Sequence, residues 1–214
     1  MRTLTLMMLL AVFAAKASAQ GQGFGVCKPV AQRTTEVGCW ILVDQPLGRA
    51  PGAALYWHLD RYGDSAQALR VSGAHDVVVH ALGGTWLMSI DSSARRRARS
   101  GSHVADIGPL RVVAGREYAA TFMEAITTPG MTSAVHRHSG PEAWYTVAGE
   151  TCLETPDGKV IGRARRPAIV PQGLPMFLTA IGTHQRRAIT LILHEADKPP
   201  TTMETQWKPK GLCR

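Results

Sequence analysis

The stretch Gly130-Met-Thr-Ser-Ala-Val-His136-Arg-His138-Ser-Gly-Pro-Glu142-Ala-Trp-Tyr-Thr-Val-Ala-Gly149 decides the reading of the chain. In an extended strand, side chains at i and i+2 share a face, so His136 and His138 project together. Ser139-Gly140-Pro141 reads as a turn that returns Glu142 beside the imidazoles. Two imidazoles and a carboxylate on one concave face form a 2-His-1-carboxylate metal site with open positions. The plainer reading is a pair of solvated strand histidines with Glu142 merely nearby. The turn, the carboxylate and the flanking glycines together favour the metal.

The spacing of Gly130, His136, His138, Glu142 and Gly149 resembles the first motif of the cupin family. That resemblance covers roughly residues 108–196 and implies a small antiparallel jelly-roll barrel with a metal in its mouth. The family's second motif, Pro-x-Gly-x-x-His, is matched at Pro171 and Gly173, but Met176 stands where the resemblance implies a histidine ligand. Three consequences stay open. Met176 packs and leaves His136, His138 and Glu142 as a facial triad, sufficient for iron or zinc. Its thioether is a fourth ligand, which selects copper. Or the pocket serves an organic ligand without a metal. The implied cofactor is a divalent ion (Fe, Zn, Mn or Cu), and His184 is an unforced substitute for the missing ligand.

The chain start reads as an export signal. Arg2 supplies the positive region, Leu4 to Ala15 the apolar run, and Ala17-Ser18-Ala19 the cleavage site. Residues 1–19 are thus expected to be removed, and the protein to be exported, periplasmic or secreted. Lys plus Arg number 24 and Asp plus Glu 16; losing Arg2 and Lys16 leaves 22 − 16 = +6. This charge suits anionic contacts. The arginine runs at 95–99 and 163–166 lack aromatic interleaving, so they read as solvated charge, and no nucleic-acid partner is expected. No later segment is long and apolar enough to span a bilayer, so no membrane contact is expected after cleavage. Four cysteines, Cys27, Cys39, Cys152 and Cys213, permit disulfides in an exported protein through any of three pairings. Cys27, Cys39 and Cys213 sit where a staple would hold the ends, and Cys152 reads as an ordinary buried thiol.

The expected organisation is mostly β. After an irregular lead-in (20–36), residues 37–92 read as strand, strand, helix, strand, strand, a small α+β unit able to cover the barrel or form a homodimer contact. Asp64 caps the helix and Ser72-Gly73 ends it. Trp40, Trp57 and Trp86 read as core anchors, and His58, His75 and His80 as strand histidines. Asp91 to His103 is a polar boundary, the barrel follows at 108–196, and 197–214 is a polar tail. If even positions face inward, Tyr118, Phe122 and Glu124 line the pocket with Trp144, and a small organic ligand or substrate would bind there. The implied function is a metal-dependent oxygenase or isomerase; the alternative is a non-catalytic module that binds a small ligand or metal.

Overall fold

The computed structural model describes residue 23, residues 26–96 and residues 100–213. The export signal and Arg97 to Arg99 lie outside the described residues. In chain order the elements are β1 (Lys28–Pro29), β2 (Gly38–Arg49), β3 (Ala54–Tyr62), α1 (Ser65–Leu69), β4 (Val77–Ala81), β5 (Gly84–Asp91) and β6 (Ser102–Arg111). There follow β7 (Glu117–Thr127), β8 (His136–Arg137), β9 (Glu142–Ala148), β10 (Glu150–Thr155), β11 (Gly158–Arg163), β12 (Pro167–Val170), β13 (Phe177–Ile181), β14 (Arg186–Glu195) and β15 (Thr202–Met203). The protein is mostly β, as its strand-like runs predict.

Three layers result. The middle layer is a six-stranded sheet in the order β1-β2-β7-β14-β9-β12. A four-stranded sheet, β4-β5-β3-β6, covers one face, and the three-stranded sheet β11-β10-β13 and the pair β15-β8 lie on the other side. The long central strands β7 and β14 are buried over nearly their whole length, which requires apolar or partnered side chains on both faces. One face of β7 sends Tyr118, Ala120 and Phe122 into a cluster with Trp57, Leu59, Trp86 and Met88 of the four-stranded sheet. Trp57 and Phe122 meet tilted, with ring centroids 6.4 Å apart. The other face of β7 carries Thr121, Met123 and Ala125 toward a cavity.

The pairing does not follow the boundary expected between residues 37–92 and 108–196. β2 pairs with β7 from Gly38↔Ile126 to Arg49↔Glu117, so the first long strand belongs to the middle sheet. β6 pairs with β3, so the covering sheet runs from Ala54 to Arg111. Strand patterns are local, whereas pairing joins residues about eighty positions apart, and a polar connection does not mark it. The helix forms as its signals predict: Asp64 caps it by accepting from the Gln67 N–H at 2.8 Å, and Ala68 is its buried residue.

Both disulfides are formed among the four cysteines. Cys27 joins Cys39, and Cys152 joins Cys213. Cys152 is therefore not the free buried thiol that its apolar strand predicts; the tail folds back to meet it. The buried Glu154 completes that anchor by accepting from the N–H groups of Lys210, Gly211 and Leu212.

Candidate metal centre

The segment after Gly130 is held as a strand-like ribbon along β13. Ser133 N–H donates to the Leu178 carbonyl at 2.9 Å, and His136 and Met176 exchange backbone hydrogen bonds at 3.1 and 2.8 Å. Extended backbone at 136–138 puts both imidazoles on one side, with ring centroids 4.9 Å apart. Ser139-Gly140-Pro141 then turns the chain into β9. A Cβ on Gly140 would lie 2.4 Å from the Leu193 carbonyl oxygen, so the turn closes against β14 only with glycine there. Glu142, at the start of β9, arrives beside the rings. The candidate ligand atoms of His136, His138 and Glu142 all lie within 4.8 Å of one another.

The hydrogen bonds select the tautomers. His136 Nδ1 donates to the Ala134 carbonyl at 2.8 Å, and His138 Nδ1 donates to the Pro200 carbonyl at 2.6 Å. A carbonyl only accepts, so both protons sit on Nδ1 and both Nε2 lone pairs remain free, as a metal ligand requires. His138 Nε2 and Glu142 Oε2 face each other at 3.4 Å, buried, and neither has a hydrogen-bond partner among the described residues. Two lone-pair-bearing atoms in that position call for a cation or a proton between them. The donor set and the orphaned atoms fit a divalent ion.

Without a metal, the electrostatics describe a pair that attracts positive charge. Burial pushes the His138 imidazole toward neutrality, but the facing Glu142 and the Pro200 carbonyl outweigh it and raise its pKa above the ordinary value. Burial works to protonate Glu142, yet His138, then His136 and Arg186, hold its carboxyl below the usual range. At His136 burial dominates, only partly offset by Glu142, and the pKa falls.

The triad opens on a cavity of about 240 Å³. Ile41, Met123, Ile192, Met176 and Leu178 form apolar wall, and Val26, Pro200 and Met203 lie toward the outside. Met176 is 1% exposed and packs with Trp144, Leu153, Val170 and Leu178, the environment of a core side chain. Trp144, expected as a pocket wall, is fully buried in that same cluster and does not line the cavity.

Other residues predicted for the pocket lie elsewhere. Tyr118 and Phe122 face the four-stranded sheet, because the inward parity of the histidine strand does not carry back through the Pro129-Gly130 turn. Glu124 lies on that same side, 1% exposed. It is not a second acid of the pocket: Arg33 pairs with it, and the Leu82 N–H donates to it at 2.7 Å. Leu82 has a positive φ of 50° at the β4–β5 hairpin tip, so Glu124 pins a strained turn to the middle sheet. His184 is exposed in the β13–β14 turn, away from the triad, and His75 and His80 are exposed too. His194 is buried, with Nδ1 directed at the Glu195 and Lys198 carbonyls.

Two contributions escape a local reading. The polar tail is part of the site, since β15 pairs with β8, Pro200 orients His138 and Met203 lines the cavity. Arg186 opens β14 and lines the cavity at 2% exposure. A Cβ on Gly149 would come within 2.7 Å of the Arg186 Cα, so the two strands meet closely there.

No protein-family model and no curated protein sequence matches the chain. Solved structures do. A cupin superfamily protein from Desulfitobacterium hafniense is 13% identical over 40% of this chain and 74% of that one, with a TM-score of 0.34. A cupin-like protein from Thermotoga maritima is 13% identical over 40% and 64%, with a TM-score of 0.37. A DMSP lyase from Ruegeria pomeroyi is 15% identical over 43% of this chain and 45% of the lyase, with a TM-score of 0.36. Several neighbours of known structure are described as cupin or cupin-like proteins. The cupin-like likeness spans well under half of this chain.

Proposed function

We propose that this is an exported, metal-dependent cupin-type enzyme of the oxygenase or isomerase class, acting on a small organic molecule. His136, His138 and Glu142 are its ligands. The observation that carries the proposal is the buried pair His138 Nε2 and Glu142 Oε2, 3.4 Å apart and without other partners. A 2-His-1-carboxylate ion with open positions supplies Lewis-acid or dioxygen chemistry. The chain's own residues hold the ligand tautomers through Ala134 and Pro200 and keep one wall of the site apolar. The two disulfides and the A-x-A site support export, since disulfides persist in oxidising compartments.

Metal analysis of the protein as exported is the test. About one Fe, Zn, Mn or Cu ion per chain is expected, lost in the His136→Ala/His138→Ala variant. A parent protein without stoichiometric metal would sink the proposal. Met176 supports a second reading: its packing leaves three ligands where the family motif has a fourth, as suits a binding module without turnover. Metal at full occupancy with no oxygen uptake and no isomerisation of any small acid that binds would favour that module.

A further inference from the structure

Arg186 is a charged side chain built into the cavity without an ion-pair partner among the described residues; only the Glu142 carboxylate, lining the same cavity, offsets its charge at longer range. It is 2% exposed, and its Nε has no hydrogen-bond partner among the described residues. No described carboxylate reaches ion-pair distance of its guanidinium, whereas the buried Glu124 pairs with Arg33 and the buried Glu195 with Lys198. Burial pushes the Arg186 pKa down to about 10, with Glu142 opposing, so it stays cationic at neutral pH. A buried cation without a close ion-pair partner costs several kcal/mol. A ligand anion would remove that cost.

The placement is equally specific. Arg186, Thr190 and Ile192 of β14 all line the cavity. Ile192 pairs with Glu142, so the Arg186 backbone lies six residues, about 20 Å of strand, from the triad's level. The side chain and the triad enter one cavity, which Met123, Thr190 and Ile192 also line, and the guanidinium comes close enough to Glu142 for the two charges to act on each other. Gly149, which closes the motif, allows the close backbone approach that seats Arg186. A guanidinium presents a planar fork of N–H donors that matches a carboxylate.

We propose that Arg186 is the anion-recognition residue of this cavity and that the ligand is a small organic acid. The carboxylate takes the guanidinium, the apolar body crosses the middle of the cavity, and the far end reaches His136, His138 and Glu142. The far-end contact rests on the metal reading above; the anion contact stands without it.

Straight-chain carboxylic acids of four to eight carbons and their matching primary amides are the probes, titrated calorimetrically into the full chain with and without EDTA. Acids of at least one length are expected to bind, with the amides about 30-fold weaker or more, the size of a charge-assisted contact. Arg186→Met is expected to weaken the acid by a similar factor and leave the amide unchanged, while Arg186→Lys keeps part of the preference. Equal binding of acid and amide, no binding of any acid, or undiminished acid binding by Arg186→Met would overturn the proposal. The acid–amide comparison uses the parent protein, so it decides even if the variants do not fold. Stoichiometric metal without acid preference sinks the Arg186 assignment alone; acid preference without metal sinks the triad alone.

Discussion

Two groups of histidines sit in this molecule, and they are wired in opposite ways. In the four-stranded sheet, His58 is fully buried, with Nδ1 2.6 Å from Asp106 and Nε2 3.2 Å from Asp91. His103 bridges Asp60 at 2.7 Å and Asp106 at 3.2 Å. Every ring nitrogen of His58 and His103 faces a carboxylate, so neither ring has a nitrogen left to bind. At the triad, each histidine gives its Nδ1 proton to a carbonyl and keeps Nε2 free. The residue types are the same; what differs is whether the second nitrogen has a partner. A saturated network holds a fold together, and an unsaturated one is available for chemistry.

That contrast can be broken most severely at the triad. His138→Ala is expected to lower metal affinity at least about 100-fold, with the β-rich circular dichroism spectrum unchanged. In metal-free protein, replacing His138 and Glu142 together by leucine is expected to leave stability unchanged or raise it by about 1–4 kcal/mol, because a poorly satisfied buried pair is removed. Marked destabilisation in a urea melt would show that the pair serves the fold.

Next in size is the tail. Cys152→Ser with Cys213→Ser is expected to cost about 2–4 kcal/mol of stability. It should also weaken metal binding about 10-fold or more, since the freed tail carries Pro200, the partner of His138. Unchanged metal affinity in the double variant would show that the tail does not orient the ligand.

The closed network should respond in stability and not in metal content. Asp106→Asn is expected to cost about 1.5–3 kcal/mol, the range for hydrogen bonds to charged groups, with the metal retained. A change in bound metal would merge the two histidine groups that the structure separates.

The smallest effect is one of pH. Burial opposes the charge of Asp76, but its hydrogen bonds from Arg96 and Gly73 outweigh it and hold its pKa below the ordinary value. Such a depressed carboxyl adds stability above the unfolded aspartate pKa of about 3.9 and loses it as pH falls through the lowered folded value. The Arg96 partner is part-exposed, so Asp76→Asn is expected to cost about 1 kcal/mol at neutral pH, with the gap to the parent closing in acid. Metal occupancy should fall at higher pH than this, because the ligand histidines must be neutral.

The triad was legible because its ingredients are local. An i, i+2 histidine pair, a turn and a carboxylate lie within seven residues, from His136 to Glu142, and strand geometry converts that spacing into proximity. The parity of β7 was not legible, because a turn separates it from the histidines and turns reset which face is inward. Glu124 illustrates the result: its partners, Arg33 and Leu82, come from distant parts of the chain. Arg186 reads in sequence as one more surface arginine beside Arg187, and only the strand that it opens sends it inside.

What the sequence determined by itself is therefore the strand-rich class, the capped helix, the convergence of His136, His138 and Glu142 and the absence of histidine at Met176. Each follows from backbone periodicity or from neighbours within a few residues. The tertiary structure decided which strands pair, that β2 and β6 exchange sides, that Cys152 meets Cys213 and that the tail orients His138. It also decided that Arg186 is buried without an ion-pair partner among the described residues. Those are contacts between residues tens of positions apart, set by the simultaneous burial of both faces of the middle sheet, and no local pattern encodes them.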